Sequence, residues 1–477
     1  MGLRFLLDGE TVEIAEVDPT ATLLDHLRYG MGRTGTKEGC AEGDCGACTV
    51  LVGELDTSGE AIAWRAVNAC ILFLPMLDGK ALLTVESLAA KGVLNPLQSC
   101  MAGNGSSQCG FCTPGFVMSL YGRSIGAVGS ALPVEDVIAG NLCRCTGYGP
   151  ILAAADALSE LPRDDSYLIP RLKQLSRAEP VSGVCGDRRW FVPRTSNQLA
   201  DLLAAYPDAR MVAGATDVGL WVTKGLQRLD SVIFVGDIAE LRRIDETPKG
   251  LTIGAGVRYA DAHMALARLH PDLGELVRRI GGLQVRNAGT VGGNIANASP
   301  IGDGPPAMIA LGATLMLRSN SGVRTLPIED YFIEYGRQDR RAGEFVEGVH
   351  IPAPGSDDIV HISKLSRRFD SDISAVCGAF KLTVRDGVIA DARIAFGGMA
   401  ATPKRAKGCE AALTGKPFTE AAIAAGVAAL RSDYTPLTDV RGTARYRVEA
   451  AANLLWRLWY KAQGEAVSVL QLESADG

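Results

Sequence analysis

The chain has 477 residues, 48 basic and 54 acidic side chains, 12 cysteines and five histidines. At about 100–200 residues per domain, that length predicts three or four domains. The net charge of −6 argues against nucleic-acid or acidic-membrane binding, and the cysteine density is far below that of a disulfide-stapled secreted scaffold. The scattered histidines, His26, His263, His270, His350 and His361, exclude a histidine-rich metal centre. Arg4, Asp8 and Glu10 interrupt the first ten residues, so no signal-peptide core is expected. The longest uncharged run, Gly92 to Gly122, is broken by Pro96, Pro114 and several glycines and cannot be a bilayer span. The expectation is a cytoplasmic protein, in whose reducing compartment grouped cysteines are metal ligands or redox centres.

In chain order, Leu3–Leu7, Asp8-Gly9 and Thr11–Ile14 predict a β-hairpin. Asp18-Pro19-Thr20 then starts a helix carrying Leu23, Leu24 and Leu27. A glycine- and cysteine-rich loop spans residues 39–48, followed by a strand over Cys48–Val52 and a turn at Asp56–Gly59. Helices are expected at Gly115–Tyr121, Val134–Ile138 and Ile151–Leu158, and residues 162–186 read as a charged interdomain linker. Beyond it, Asn197–Ala205 and Ala260–Leu269 read as helices, and Arg210–Val212 and Ser231–Val235 as strands. The last segment opens with strands Gly378–Val384 and Val388–Phe396. It ends in helices Glu420–Leu430 and Thr443–Ala462, the second amphipathic.

Eight cysteines fall into two sets. Cys40-x4-Cys45-x2-Cys48, with Cys70 after 21 further residues, has the spacing of a plant-type [2Fe-2S] loop. Gly39, Gly43 and Gly46 lie beside and between the ligands, where glycine permits positive φ and lets backbone N–H groups approach sulfur. Structural zinc and unrelated buried thiols are the competing readings, though zinc loops usually pair two short knuckles. The second set is Cys109-x2-Cys112 and, 30 residues on, Cys143-x-Cys145. Two short pairs suit either a tetrahedral zinc or a second [2Fe-2S] cluster, and the position after a ferredoxin-like unit favours the cluster. Cys100, Cys185, Cys377 and Cys409 lack a partner at ligand spacing and read as core cysteines.

Residues Gln108–Gly115 (QCGFCTPG) and Asn141–Tyr148 (NLCRCTGY) resemble the signature of the xanthine oxidase family of molybdenum hydroxylases. Glu38-Gly39-Cys40 and Gly43-Asp44-Cys45-Gly46-Ala47-Cys48 resemble that family's N-terminal cluster loop. The resemblance implies a ferredoxin-like β-grasp domain followed by a helical-bundle [2Fe-2S] domain. It also implies that the second cluster is the one nearer the molybdenum cofactor, with Gln108 touching the pterin.

Neither a G-x-G-x-x-G fingerprint after a strand nor a P-loop is present. Two other glycine-bearing segments stand out: Met211-Val212-Ala213-Gly214-Ala215-Thr216-Asp217-Val218, and Val285 to Asn297 with Thr290, Gly292, Gly293 and Asn294, followed by Asp303. By themselves they signify two tight turns in a chain of 55 glycines. They resemble, however, the FAD-binding domain of the vanillyl-alcohol-oxidase type, in which both loops wrap the FAD pyrophosphate and the aspartate lies near the adenosine end. Ala215 stands where many members have a second glycine, a departure that bears on the backbone angle there. Lys364-Leu365-Ser366-Arg367-Arg368 resembles a segment that reaches the flavin. The following Phe369-Asp370-Ser371-Asp372 matches a loop that influences NAD access, and Val346 would sit against the flavin.

The resemblance thus implies an α+β multidomain chain: a ferredoxin-like domain over 1–84, a helical cluster domain over 85–161, a linker over 162–186, an FAD-binding domain over 187–355 and an α+β C-terminal flavoprotein domain over 356–477. No room is left for a molybdopterin-binding portion. The implied function is electron transfer from a molybdenum cofactor on a large partner subunit, through two clusters and FAD to NAD+. Purine hydroxylation would occur on the partner, in an (αβ)2 assembly. No catalytic residue is expected on this chain. The competing readings are a subunit of another hydroxylase, acting on an aldehyde or N-heterocycle, and a zinc-binding interaction protein.

Overall fold

Asp8 and Gly9 both take positive φ, 54° and 83°, the geometry of a two-residue hairpin turn. They join β1 (Leu3–Leu7) to β2 (Glu10–Ile14) in the register Leu3↔Ile14 to Leu7↔Glu10. With β3 (Thr49–Leu55), β4 (Ile62–Asn68) and β5 (Ala81–Leu83) they form a mixed sheet of order β2-β1-β5-β3-β4, in which β1 and β5 are parallel. This is the expected β-grasp arrangement. The computed structural model describes residues 2–89, 92–157, 160–161, 163–465 and 467.

The strand period of two puts side chains on both faces of this sheet. Leu3, Phe5, Leu7 and Val50 join one core, with Cys48, Cys70, Trp190, Val212 and Phe234. Leu6 and Leu51 join another, with Phe116, Val137, Ile151 and Leu172. The sheet is therefore buried on both sides. Four helices build the second core: Pro96–Gly103, Thr113–Ser124, Val134–Ile138 and Gly149–Ala157. Asn95 and Gln98 cap the first reciprocally at 2.8 and 3.1 Å, with Pro96 at its first position. Leu158, the expected end of the fourth, lies outside the described residues.

Three expectations change. The helix carrying Leu23, Leu24 and Leu27 is one short turn, Leu23–Asp25, followed by a π turn over His26–Gly30. Within the segment expected as a linker, the described residues 163–186 form regular structure. They include a helix, Leu168–Leu175, and a strand, Val181–Cys185. Leu168, Leu172 and Leu175 recur at helical spacing and are buried, while Arg171 and Lys173 reach Glu10 and Glu60. Of the leftover cysteines, Cys377 and Cys409 are buried but Cys100 and Cys185 are only half-buried. Cys185 lies on an edge strand, beside Arg188–Val192 in a sheet completed by Ser231–Phe234 and Arg210–Val212.

These elements belong to one compact unit, made of residues up to Arg242 with Arg258–Asp261 and Ile280–Thr290. The other unit comprises Arg243–Val257, Ala262–Arg279 and the chain from Val291 onward. It holds an antiparallel sheet of Ile244–Thr247, Gly250–Gly254, Phe345–Pro352, Thr314–Ser319 and Gly322–Pro327. A second antiparallel sheet, Asp358–Leu365, Val376–Arg385, Val388–Gly397 and Lys404–Arg405, packs with helices Lys407–Leu413, Glu420–Asp433 and Ala444–Ala462. Among the described residues no helix is long and apolar enough to cross a membrane.

Candidate functional site

The loop before β3 folds back on itself through left-handed residues Ala41 (φ 54°), Gly43 (78°) and Gly46 (68°). That curvature aims the N–H groups of Glu42, Asp44 and Cys45 at Cys40 Sγ, at 3.4, 3.4 and 3.3 Å. Cys48 and Cys70 are buried with their sulfurs 3.3 Å apart, and Asn68 Nδ2 approaches Cys48 Sγ at 3.8 Å. A Cβ at Gly39 would lie 2.8 Å from Cys45 Sγ, so that position admits only glycine beside the sulfur. The Cys40 thiol is shifted down, chiefly by its hydrogen bond with Cys45, and the Cys48 thiol by its hydrogen bond with Cys70. Cys45 and Cys70 are pushed up, each first by its hydrogen bond with Cys40 and Cys70 next by that with Cys48. Converging thiols, none in a disulfide and with N–H donors aimed at sulfur, fit a four-thiolate iron–sulfur cluster.

The second set sits on helix ends. Cys112 precedes helix Thr113–Ser124 and is pushed up to about 12, mainly by burial. The buried Cys143 is drawn down to about 7; desolvation opposes the shift and is outweighed by hydrogen bonds from Thr146 and the Cys145 N–H. Its sulfur lies 3.3 Å from Thr146 Oγ1 and 3.4 Å from the Cys145 nitrogen. Cys109 is shifted down, first by the Phe111 N–H, and it pairs with Cys145, which is shifted up. Gln108, Cys109, Phe111 and Cys145 are exposed, so this centre opens outward. Among the described residues no group of three or more His, Cys, Asp or Glu closes on a single metal ion. In this second set Cys109 pairs with Cys145 and Cys112 with Cys143, an arrangement of four thiols that fits a binuclear cluster.

The two cysteine loops touch directly. The Leu142 N–H donates to the Cys45 carbonyl at 3.0 Å, one residue from a ligand of the second set. The next carbonyl, Gly46, accepts from Asn141 Nδ2 at 3.1 Å and Thr49 Oγ1 at 2.6 Å. Backbones meet because three glycines face one another: a Cβ on Gly46 would fall 2.2 Å from the Gly140 oxygen, and one on Gly115 would fall 2.1 Å from the Gly46 oxygen.

The first glycine-bearing loop runs from strand Arg210–Val212 into helix Val218–Thr223. A Cβ on Gly214 would lie 1.9 Å from the Ala288 oxygen, so residues 213–216 and 288–290 press backbone on backbone. Ala215, buried, holds a left-handed angle (φ 58°), one that glycine adopts freely. Beyond it, a Cβ on Gly219 would meet Ile71 at 2.8 Å, and Thr223 Oγ1 donates to the Ala41 carbonyl at 2.7 Å. The helix leaving this loop thus rests on neighbours of Cys70 and Cys40.

In the other unit, Gly292 packs on Ala255, to whose carbonyl it donates at 3.0 Å. Asn294 lies on the same helix, Val291–Asn297. Lys364, 2% exposed at its side chain, forms an ion pair with Asp303 at 2.7 Å and donates to the Arg279 carbonyl at 2.9 Å. Asp303 also accepts from Ser374. Lys364 and Asp303 therefore hold each other, and Arg279 ties down the following loop through Lys364 O, Ser366 Oγ and Phe369 O. Val346 is buried on strand Phe345–Pro352, opposite Leu317. Sequence reasoning passed over Ser374, Arg279 and Gln284; none carries a motif, and each is identifiable only by what it bonds.

Four domain families match in sequence. Residues 5–74 match a 2Fe-2S iron–sulfur cluster binding domain, 84–156 a [2Fe-2S] binding domain, 184–354 the FAD binding domain in molybdopterin dehydrogenase and 361–462 the CO dehydrogenase flavoprotein C-terminal domain. Xanthine dehydrogenase of Emericella nidulans is 31% identical over 541 residues, covering 99% of this chain and 39% of that protein. The Oryza sativa subsp. japonica xanthine dehydrogenase is 32% identical over 83% of this chain and 35% of its own length. The chain thus spans less than two fifths of these relatives. Among solved structures, a carbon monoxide dehydrogenase from Hydrogenophaga pseudoflava aligns at 29% identity and TM-score 0.53, over 56% of this chain and 94% of its own. Quinoline 2-oxidoreductase from Pseudomonas putida 86 aligns at 28% and 0.53, over 57% and 96%.

Proposed function

The chain belongs to the xanthine oxidase family of molybdenum hydroxylases as an iron–sulfur and flavin subunit, and from that premise we propose that it is the small subunit of a xanthine dehydrogenase. It passes electrons from a molybdenum cofactor on a large partner subunit through two [2Fe-2S] clusters to FAD and on to NAD+, supporting hydroxylation of hypoxanthine and xanthine. The observation that carries this reading is the hydrogen-bonded contact between the two cysteine loops, with the first flavin loop's helix seated beside Cys40 and Cys70. When bound, the clusters exchange single electrons and FAD one or two, which couples a two-electron oxidation to hydride delivery.

The chain's own groups set the stage for this. Cys40, Cys45, Cys48 and Cys70 hold one cluster, and Cys109, Cys112, Cys143 and Cys145 the other. N–H groups directed at Cys40 and Cys143 stabilise negative sulfur and tune potential. Residues 211–218, Thr290, Gly292, Gly293, Asn294, Asp303, Val346 and Lys364 serve FAD. The exposed rim of Gln108 and Phe111 faces the molybdenum subunit, in an (αβ)2 assembly. Twelve unpaired cysteines favour a cytoplasmic location.

What supports xanthine is that the curated relatives are xanthine dehydrogenases; coverage bears on which domains share one chain. The curated xanthine dehydrogenases align along 83–99% of this chain, whereas the carbon monoxide and quinoline enzymes' solved chains match little over half of it. The test is co-purification of the complex from its host, with iron and flavin content and xanthine-dependent NAD reduction measured together. Cys112→Ser is expected to remove one of two electron paramagnetic resonance signals and leave FAD in place. A colourless protein with stoichiometric zinc would overturn the redox reading; xanthine-inert but quinoline- or aldehyde-active complex would move the substrate.

A further inference from the structure

Beneath the contact between the cysteine loops lies a buried polar group to which no cysteine belongs, centred on Gln284, whose Oε1 has no hydrogen-bond partner. Gln284, 1% exposed, donates from Nε2 to Asn141 Oδ1 at 2.9 Å, Thr49 Oγ1 at 3.2 Å and Ser119 Oγ at 3.2 Å. Both hydroxyls spend their own hydrogens elsewhere, Thr49 on the Gly46 carbonyl at 2.6 Å and Ser119 on Asn141 Oδ1 at 2.7 Å. Each therefore offers only lone pairs toward Gln284, and the amide must present its NH2 end. Asn141 in turn donates from Nδ2 to the Gly46 carbonyl. Its neighbour Leu142 donates to the Cys45 carbonyl. Consecutive carbonyls of the first loop are thus held by consecutive residues of the second, and Gln284 fixes the side chain that does half of the holding.

We propose that Gln284 is a positioning residue for electron exchange between the two cysteine centres. This rests on the reading that both centres are [2Fe-2S] clusters. An electron that crosses leaves one centre oxidised and the other reduced, with no bond made or broken and no proton moved. The chain consequently controls only the separation, the bonded path and the local field. The path runs through the Cys45 carbonyl and the Leu142 N–H to Cys143. Gln284 keeps it short by orienting Asn141, and it reaches the clusters from the segment that continues into the flavin loop at Ala288–Thr290.

The test compares wild type with Gln284→Met, which keeps length and loses the donor, and Gln284→Glu, which keeps shape and adds an acid. All are studied as the complete complex. Both variants are expected to retain iron, FAD and two resonance signals after chemical reduction. In both, the magnetic splitting between the two reduced centres narrows. The midpoint potential of the first-loop centre shifts, falling furthest in Gln284→Glu, where a carboxylate lies near anionic sulfur. Splitting and potentials identical to wild type in both variants would overturn the proposal. So would loss of the fold in both, which would make Gln284 a packing residue only. A wild-type protein lacking the two signals would instead undo the underlying functional reading.

Discussion

Glu54 on β3 is 8% exposed, and three guanidiniums gather on it: Arg65 at 3.3 Å, Arg242 at 3.1 Å and Arg258 through both terminal nitrogens. Burial works against its ionisation, and the Arg258 charge with its hydrogen bond outweighs burial, so the carboxyl is held well below the usual range. Glu54→Gln preserves the shape and one acceptor oxygen but removes the charge. Asp261, 2.8 Å from Arg65, then compensates one arginine of the three. Breaking one side of a buried ion pair costs about 3–5 kcal/mol. The retained acceptor, and water reaching Arg242 at 34% side-chain exposure, place the expected loss near the lower figure. For a unit of this size that lowers the unfolding temperature by roughly 6–12 °C. The assay is thermal unfolding of the intact complex at neutral pH, followed by flavin fluorescence, with Arg242→Gln as a control expected to cost less than about 1 kcal/mol. A Glu54→Gln midpoint equal to wild type, or an equal loss in Arg242→Gln, would refute the picture of a desolvated central carboxylate.

The same carboxylate gives a pH signature. A folded-state value below the ordinary one means its stabilisation is complete above about pH 4.5 and fades as pH falls through the folded value. The gap between wild type and Glu54→Gln should therefore narrow in acid; a gap that widened there would contradict the sign. Gly115→Ala gains about 0.5–1 kcal/mol of helix propensity. It also places a Cβ 2.1 Å from the Gly46 oxygen, an overpacking cost of about 1–3 kcal/mol. A net loss with altered resonance line shapes is expected, checked by unfolding and by spectra of the reduced protein. Gly214→Ala forces residues 213–216 away from the Ala288 carbonyl and should lower flavin per iron in purified protein, read from absorbance and metal analysis. Lys364→Met leaves Asp303 buried without its cation, so flavin should dissociate at lower temperature than in wild type.

What could be read from the sequence was chemistry with short range. Cysteine spacing singled out the two cysteine loops and the Asp8-Gly9 turn its hairpin, whereas the Asn95-Pro96 cap went unread and the helix Pro96–Gly103 with it. The helix Leu168–Leu175 was missed because Arg171 and Lys173 masked a three-leucine stripe whose burial depends on a sheet far away in sequence. The left-handed Ala215 was flagged as a departure, yet only the structure shows the angle retained. Glu54 meets Arg242 and Arg258 across 188 and 204 residues, a pairing no local pattern encodes. Lys364 was expected to reach toward flavin; its engagement with Asp303 depends on strand placement that the motif does not carry.

The polar frame under the cysteine loops joins Thr49, Ser119 and Asn141 to Gln284 across 235, 165 and 143 residues. On the ribosome, which supplies the chain from its N-terminus, both cysteine loops emerge long before that amide exists. The Leu142–Cys45 and Asn141–Gly46 bonds join the loops without residue 284, so the amide arrives last and locks a junction whose two halves have already met.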